Sequence, residues 1–422
     1  MKARACTLAA VAFVAAGVFA DITITEPKAG ETVSLLYPDQ LEFLDLPREM
    51  RKVNRDAVIE KKPGAVRVAS KGRAKPVVIS WSGSAGPSTV KVVRLPDGKV
   101  FHESSTTGTS VSIKGRLEIA RRWKATVSDG KSTADVEFST LDRAPRIISL
   151  DGVMNARDLG GRIGLNGRRV KQGLILRTGG LNHNAKTAYY TYDEIIQLHK
   201  EGKLEKAGTW KSRYLGKEYE AKLKKGQKLD KHFLRLFKHG PKAPGDERLS
   251  DADRAYLLGF IGIKSDLDFR DSWECFGMTG SPLGDDVRWF HYNWVSGYGS
   301  FVKPNGRASA ARAFSVFVDP KNYPIDFHCI GGTDRTGTFA YLLNALLGVD
   351  EEELIRDYEW SFISGSGVDK RHYGWLETLL KSAHELPGDT LAEKMKGYFL
   401  SLGFTDKEIE DLREFLLEPP AR

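Results

Sequence analysis

Cysteine is scarce in this chain: Cys6, Cys275 and Cys329 are the three among 422 residues. That is too few for a disulfide-stapled scaffold or a four-cysteine zinc site. Long apolar runs are scarce too. Beyond the N-terminus no stretch reaches the roughly 20 residues that a membrane-spanning helix needs. No sequence signature of nucleic-acid reading is present. What is there is ordinary for a globular protein: 41% hydrophobic and 28% charged residues, which excludes chain-wide disorder. The length predicts two or three domains.

The first twenty residues read as an export signal. Lys2 and Arg4 precede an apolar run from Leu8 to Phe19, and Val18 and Ala20 sit at the small-residue positions before a cleavage point. This predicts removal of residues 1–20, a secreted or periplasmic protein, and no stable membrane insertion afterwards.

Residues 21–141 read as a β module. Pro76–Trp81, Thr89–Arg94, Lys99–His102, Trp123–Ser128 and Thr133–Thr140 are short runs rich in β-branched or alternating residues. Turn signals such as Pro96-Asp97-Gly98 and Asp129-Gly130 punctuate them. The spacing predicts an all-β sandwich, with residues 30–70 as an extra strand or an irregular lead-in. Trp81, Leu117 and Phe138–Thr140 resemble a fibronectin type III (Ig-like) domain, clearest over residues 75–141. That resemblance implies a spacer or a module with a docking partner of its own.

After a linker at residues 142–148 the pattern changes to apolar strands, Gly-bearing turns and longer helical periods, which predicts an α/β layer fold over residues 149–418. The chemistry concentrates in one stretch, Ile325-Asp-Phe-His-Cys-Ile-Gly-Gly-Thr-Asp-Arg-Thr-Gly337. A strand leads into a loop, and the loop into a strongly helical run. Backbone N–H groups at such a helix start converge and favour an anion. Cys329 opens the loop and Arg335 closes it. A charged sulfur there is a competent nucleophile at phosphorus, and the Arg335 fork can grip two phosphoryl oxygens. Ile330, Gly331, Gly332 and Thr333 supply the backbone, with the glycines permitting close approach. Thr336 can hydrogen-bond the sulfur, and His328 can orient the loop. The stretch lacks the Gly-Lys-Ser/Thr ending of a Walker-type nucleotide loop.

This loop resembles that of the bacterial tyrosine/serine phosphatases, which are cysteine-based and read His-Cys-x-x-Gly-Lys-Asp-Arg-Thr-Gly. Three further segments match in order: Asn155–Gly161, Gly173–Thr178 and Gly262–Arg270. The resemblance implies a three-layer α/β phosphatase domain that hydrolyses phosphomonoesters through a phosphocysteine, with no metal or cofactor. It also implies a general acid in the loop, at Asp334. Asp334 equally suits a helix N-cap, and Asp271, after the Asp268-Phe269-Arg270 strand, is the competing acid. Arg157, Asp158 and Arg270 are either substrate-binding or bracing residues. One departure is Thr333, where the family usually carries Lys, and this weakens any expectation of phosphoinositide specificity.

A basic insert separates two of these motifs. Residues 183–242 hold 15 Lys/Arg against 7 Asp/Glu, a net +8 of the chain's +9. It reads as a rim attracting anionic substrates or as a solvated helical insertion. Three function classes remain: a phosphatase acting on phosphotyrosine and possibly phosphoserine or phosphothreonine proteins, a small-molecule phosphatase acting on inositol phosphates or phosphoinositides, and a non-catalytic binding protein. The intact Cys329, Asp334 and Arg335 argue against the last. Cys275, just past the Asp268–Arg270 strand, reads as a small buried apolar residue or as a second thiol near Cys329 that could trap an oxidised sulfur as a disulfide.

Overall fold

The computed structural model describes residues 21–59, 68–84, 86–182, 248–271, 274–275, 278–294, 297–364 and 371–420, with five isolated positions between 197 and 225. The expected export signal and nearly all of the basic insert lie outside the described residues. Among the described residues no helix is long and apolar enough to cross a membrane.

The chain forms two compact units. The smaller comprises the described residues up to Val33, Val77–Ile113 and Arg121–Thr140. It is built from two sheets. One joins β1 (Thr23–Glu26), β3 (Val77–Ser82) and β6 (Ser110–Ile113) in that order. The other runs β2 (Thr32–Val33), β8 (Thr133–Thr140), β7 (Arg122–Ser128), β4 (Ser88–Leu95), β5 (Val100–Thr106). The period-2 pattern explains the core: Val77, Ile79 and Trp81, Val90 and Val92, and Trp123, Ala125 and Val127 are all buried. The Trp123 ring meets Phe101 edge-on at 4.8 Å. Its Nε1 donates to Thr140 Oγ1 at 3.1 Å, satisfying a buried polar atom.

The larger unit takes Ser34–Pro76, Lys114–Ala120 and Leu141–Arg422. Within residues 30–70, expected as an extra strand or an irregular lead-in, the short strand β2 belongs to the smaller unit, while two helices, α1 (Pro38–Asp45) and α2 (Arg48–Ile59), fold with the larger one. The reason is polar as much as apolar. Arg51 is fully buried, and a buried guanidinium must be paired. Its partners are Glu359, 308 residues away, and Glu352 at 2.7 Å. Gln40 Nε2 donates to the carbonyls of Lys71 and Arg73. Residues 114–120 join the same unit through Arg146, which donates to the carbonyls of Leu117 and Arg116.

A six-stranded sheet lies at the centre of the larger unit. Its order is β13 (Arg288–His291), β12 (Ser265–Asp268), β14 (Ile325–His328), β11 (Ile175–Thr178), β10 (Arg157–Asp158), β9 (Arg146–Ile147). The first four strands are parallel, β10 runs antiparallel to β11, and β9 runs antiparallel to β10. On one face Ile175, Leu267, Phe269, Ile325 and Phe327 pack in the main core with α3 (Pro304–Phe317) and α4 (Arg335–Leu346). On the other, Leu176 packs with Ile148, Val153, Leu257 and Leu283. Helix α4 is buried from Thr336 to Leu346, as a helix covered on all sides must be. Its neighbours are α5 (Glu351–Ile363) and α7 (Leu391–Leu400), while α6 (Arg371–His384) and α8 (Asp406–Leu416) complete the helical layer. Thr390 with Glu393 and Thr405 with Glu408 form capping boxes at the starts of α7 and α8, which accounts for the break between them.

Candidate active site

β14 sits in mid-sheet between β12 and β11, both parallel to it. The loop after it, Cys329–Asp334, therefore emerges at the carboxyl edge, where open parallel sheets place their sites. Six successive carbonyls of this loop point into the protein. Cys329 O lies 3.1 Å from His328 Nδ1. Ile330 O accepts from Gly180 N at 2.9 Å, Gly331 O from Asn155 Nδ2 at 2.9 Å, and Gly332 O from Arg177. Thr333 O and Asp334 O take the N–H groups of Gly337 and Thr338. In a trans peptide the carbonyl and the following N–H point opposite ways. Tying six carbonyls outward thus turns the amides of residues 330–335 toward one centre, which is an anion cradle. Gly332 is essential to this path: its φ is +69°, and a Cβ there would lie 2.3 Å from Thr178 O.

Cys329 opens the cradle, 2% exposed. Thr336 Oγ1, in the first turn of α4, is buried and has no partner among the described residues. Arg335 is held by Glu274, with NH1 at 2.6 Å from Oε2 and NH2 at 3.1 Å from Oε1, and by the Phe269 carbonyl at 3.1 Å. Burial works against its charge, but Cys329 and Glu274 more than compensate and raise its pKa above the usual arginine value. Sequence reasoning missed Glu274. It lies in the same post-strand loop as Asp271, and nothing in a lone Glu there announces that it clamps an arginine 61 residues on.

Asp334 stands at the N-cap position of α4, yet its side chain makes no cap bond. Its carboxylate is 43% exposed and lies 3.4 Å from His372 Nε2, and it accepts from the hydroxyl of Tyr298. That hydroxyl also meets Tyr358 Oη at 2.6 Å. Tyr298 holds φ +63°, a strained setting for a bulky residue that surrounding structure must enforce. Its backbone N–H donates to Thr338 Oγ1 at 2.6 Å. Asp271 is half-buried. Its N–H donates to Glu274 Oε2 at 2.6 Å, and its charge also acts on Arg335.

Beneath the loop, alternation puts Asp266 and Asp268 of β12 and Asp326 and His328 of β14 on one buried face. His328 Nε2 lies 3.0 Å from Asp266 Oδ1, and Nδ1 3.8 Å from Asp268 Oδ1. Burial disfavours the imidazolium, but Asp268 and Asp266 outweigh it and lift the His328 pKa to about 9. Burial likewise pushes Asp268 up, yet His328 and Arg270 hold it at about 2. Asp326 shows the reverse balance: burial raises it to about 7 despite His328 and the Thr178 hydroxyl. Asp266, Asp326 and His328 bring ligand-type atoms within 4.8 Å of one another.

A stability prediction follows. The His328 pKa rises from 6.5 to about 9 on folding. Its contribution is therefore full below about pH 6.5 and lost as pH climbs through 9. Urea unfolding should show a loss of a few kcal/mol between pH 6.5 and 9.5, and His328→Gln, weaker at pH 6, should lose less over that span. Parallel curves for the two proteins would contradict the assignment.

Arg157, Asp158 and Arg270, which the sequence leaves open between substrate binding and bracing, are fully buried and paired with protein groups. Arg157 pairs with Asp357 at 2.9 Å, as does Arg162, and Arg177 joins the same carboxylate. These arginines hold Asp357 well below the usual carboxylate range against the effect of burial. Asp158 pairs with Arg146 at 3.0 Å and accepts from the N–H groups of Gly160 and Gly173. Arg270 chelates Asp268 and donates to Asn182 Oδ1 at 2.8 Å. Asn155 and Arg177, by contrast, touch the loop directly. Neither Cys275 nor Cys329 is in a disulfide; Cys275 Sγ contacts His291 Nε2 at 3.1 Å and the Asp271 carbonyl at 3.2 Å.

Comparison with known proteins agrees with this geometry. The family model described as "Tyrosine phosphatase family" matches residues 148–199 and 245–418, a span holding the whole sheet except its edge strand β9, together with the loop and its bracing residues. A tyrosine-protein phosphatase of Nostoc commune is 26% identical over 213 residues, covering 39% of this chain and 70% of that protein. With the matched span exceeding half its length and containing the Cys329 loop, the chain belongs to the tyrosine phosphatase family.

Proposed function

We propose that this chain is an exported phosphatase that hydrolyses phosphomonoesters, phosphotyrosine first among them, through a phosphocysteine intermediate. The observation that carries the reading is the inward-facing ring of loop amides with Cys329 at its opening and Arg335 at its close. The Cys329 thiolate attacks phosphorus while Asp334 gives its proton to the departing oxygen as the P–O bond breaks. Water then attacks the phosphocysteine. Asp334 takes its proton, and the P–S bond breaks to release inorganic phosphate and the thiolate. Arg335, oriented by Glu274, binds two equatorial oxygens as their charge redistributes. Thr336 hydrogen-bonds the sulfur as it leaves, and charged His328 steadies the Cys329 carbonyl. Asp334 is favoured over Asp271 as the acid because its carboxylate is part-exposed at the helix start and is not spent as a cap.

The residues supply nucleophile, acid and anion binding without a metal or cofactor. The N-terminal apolar run supports export. The β unit is read as a fibronectin III-like spacer or docking module. A phosphate-release panel tests the function. Aryl phosphate and phosphotyrosine peptides should be turned over, phosphoserine peptides more slowly, with chelator making no difference. Turnover confined to inositol phosphates would favour the small-molecule reading, and loss of activity with chelator would count against the mechanism.

A further inference from the structure

A cavity of about 450 Å³ in the larger unit is lined by Lys71, Arg73, Lys114, residues 148–156 and Ser364. Its three basic residues come from segments that precede the family match, which begins at residue 148. All three side chains are exposed. Arg73 Nε donates to the Ser70 carbonyl at 3.2 Å, and among the described residues none of the three has a carboxylate partner. The acidic residue on the lining, Asp151, accepts from Ser250 Oγ at 2.9 Å, so the rim stays net positive.

The cavity and the phosphate loop share a residue. Asn155 lines the cavity, and its Nδ2 donates to the Gly331 carbonyl of the loop at 2.9 Å. Its neighbour Met154 accepts, through its carbonyl, from Gly179 N, and the next residue, Gly180, donates to the Ile330 carbonyl. A wall about one residue thick therefore separates the two. The lining is chemically mixed, since Val153 and Met154 add apolar surface beside the basic rim.

We infer that this cavity is a recognition subsite for an acidic side chain flanking the phosphorylated residue of a phosphopeptide. The inference rests on the phosphatase reading above. Lys71, Arg73 and Lys114, which have no carboxylate partner among the described residues, attract a carboxylate. The apolar surface accepts the stem and backbone of a peptide, which an inositol polyphosphate lacks. The volume falls within the range of small-ligand pockets.

The test compares wild type with the triple variant Lys71→Glu/Arg73→Glu/Lys114→Glu. Substrates are an aryl phosphate and two phosphotyrosine peptides, one flanked by Asp and Glu and one by Lys. Binding of the acidic peptide without its phosphate is measured in parallel. The triple variant should raise KM for the acidic peptide about 10- to 100-fold, three reversed surface charges acting together. Its kcat and its aryl phosphate kinetics should stay within about twofold of wild type. High salt should erase the wild-type preference, and the phosphate-free peptide should bind wild type alone. Equal KM for the two peptides in wild type would overturn the inference. So would a triple variant that loses aryl phosphate turnover in step with peptide turnover, or inositol hexakisphosphate outcompeting the acidic peptide at the charge-sensitive site. Absent aryl phosphate turnover with intact, charge-sensitive peptide binding would instead defeat the phosphatase reading and leave the subsite standing.

Discussion

Cys329→Ser is expected to lower aryl phosphate turnover by roughly 10⁴–10⁶-fold, the scale on which loss of a covalent nucleophile acts in other enzymes. The fold should survive. The substitution exchanges sulfur for oxygen at a site 2% exposed, and the cradle is set by backbone carbonyls tied to Gly180, Asn155 and Arg177, none of which needs the sulfur. The variant should therefore still bind phosphate or vanadate, as followed by calorimetry, and should unfold within about 1 kcal/mol of wild type. Residual turnover near the wild-type rate would remove Cys329 from the mechanism. Loss of oxyanion binding along with turnover would mean that the sulfur shapes the cradle and is not simply its nucleophile.

Asp334→Asn is expected to cost about 10²–10⁴-fold in kcat, the range of general acid–base catalysis. The size should depend on the leaving group. An aryl oxygen of low basicity departs with little protonation, whereas the alkoxide of phosphoserine cannot. A plot of log kcat against leaving-group pKa should thus be flat for wild type and steep for Asp334→Asn. Tyr298 and His372 both address this carboxylate, so Tyr298→Phe should give a smaller change in the same direction. If Asp271→Asn produces the steep plot and Asp334→Asn does not, the acid lies on the loop after β12.

How far the sequence discloses this site depends on how local each interaction is. The Cys329–Gly337 loop is legible because the nucleophile, the cradle and the cationic fork fall within one strand–loop–helix passage, and that passage has a composition of its own. The supporting charges are not legible. Glu274 acts on Arg335 across 61 residues, and Asp357 gathers arginines 180 to 200 residues earlier in the chain. No spacing rule links them. The same holds for Arg157, Asp158 and Arg270: their motif is visible, but whether an arginine faces ligand or carboxylate depends on partners that only the fold supplies. The strands at 77–82, 88–95, 122–128 and 133–140 are readable from alternation. Helices α1 and α2 are not, since their placement depends on Arg51 meeting Glu359 and Gln40 meeting the Lys71 and Arg73 carbonyls. Tyr298 left no sequence signal, because a left-handed tyrosine is dictated by tertiary structure and not by propensity.

The central claim is that phosphate passes through Cys329. The most direct measurement mixes the enzyme with an aryl phosphate, quenches in acid within milliseconds, digests, and maps the phosphoryl group by mass spectrometry. A slower second step should make the adduct accumulate, so Asp334→Asn with a good leaving group is the preferred form. The account predicts one added phosphoryl group on the peptide containing Cys329, absent from Cys329→Ser and discharged on longer incubation. A phosphoryl group on His328 or another residue, or turnover with no adduct at any quench time, would contradict it.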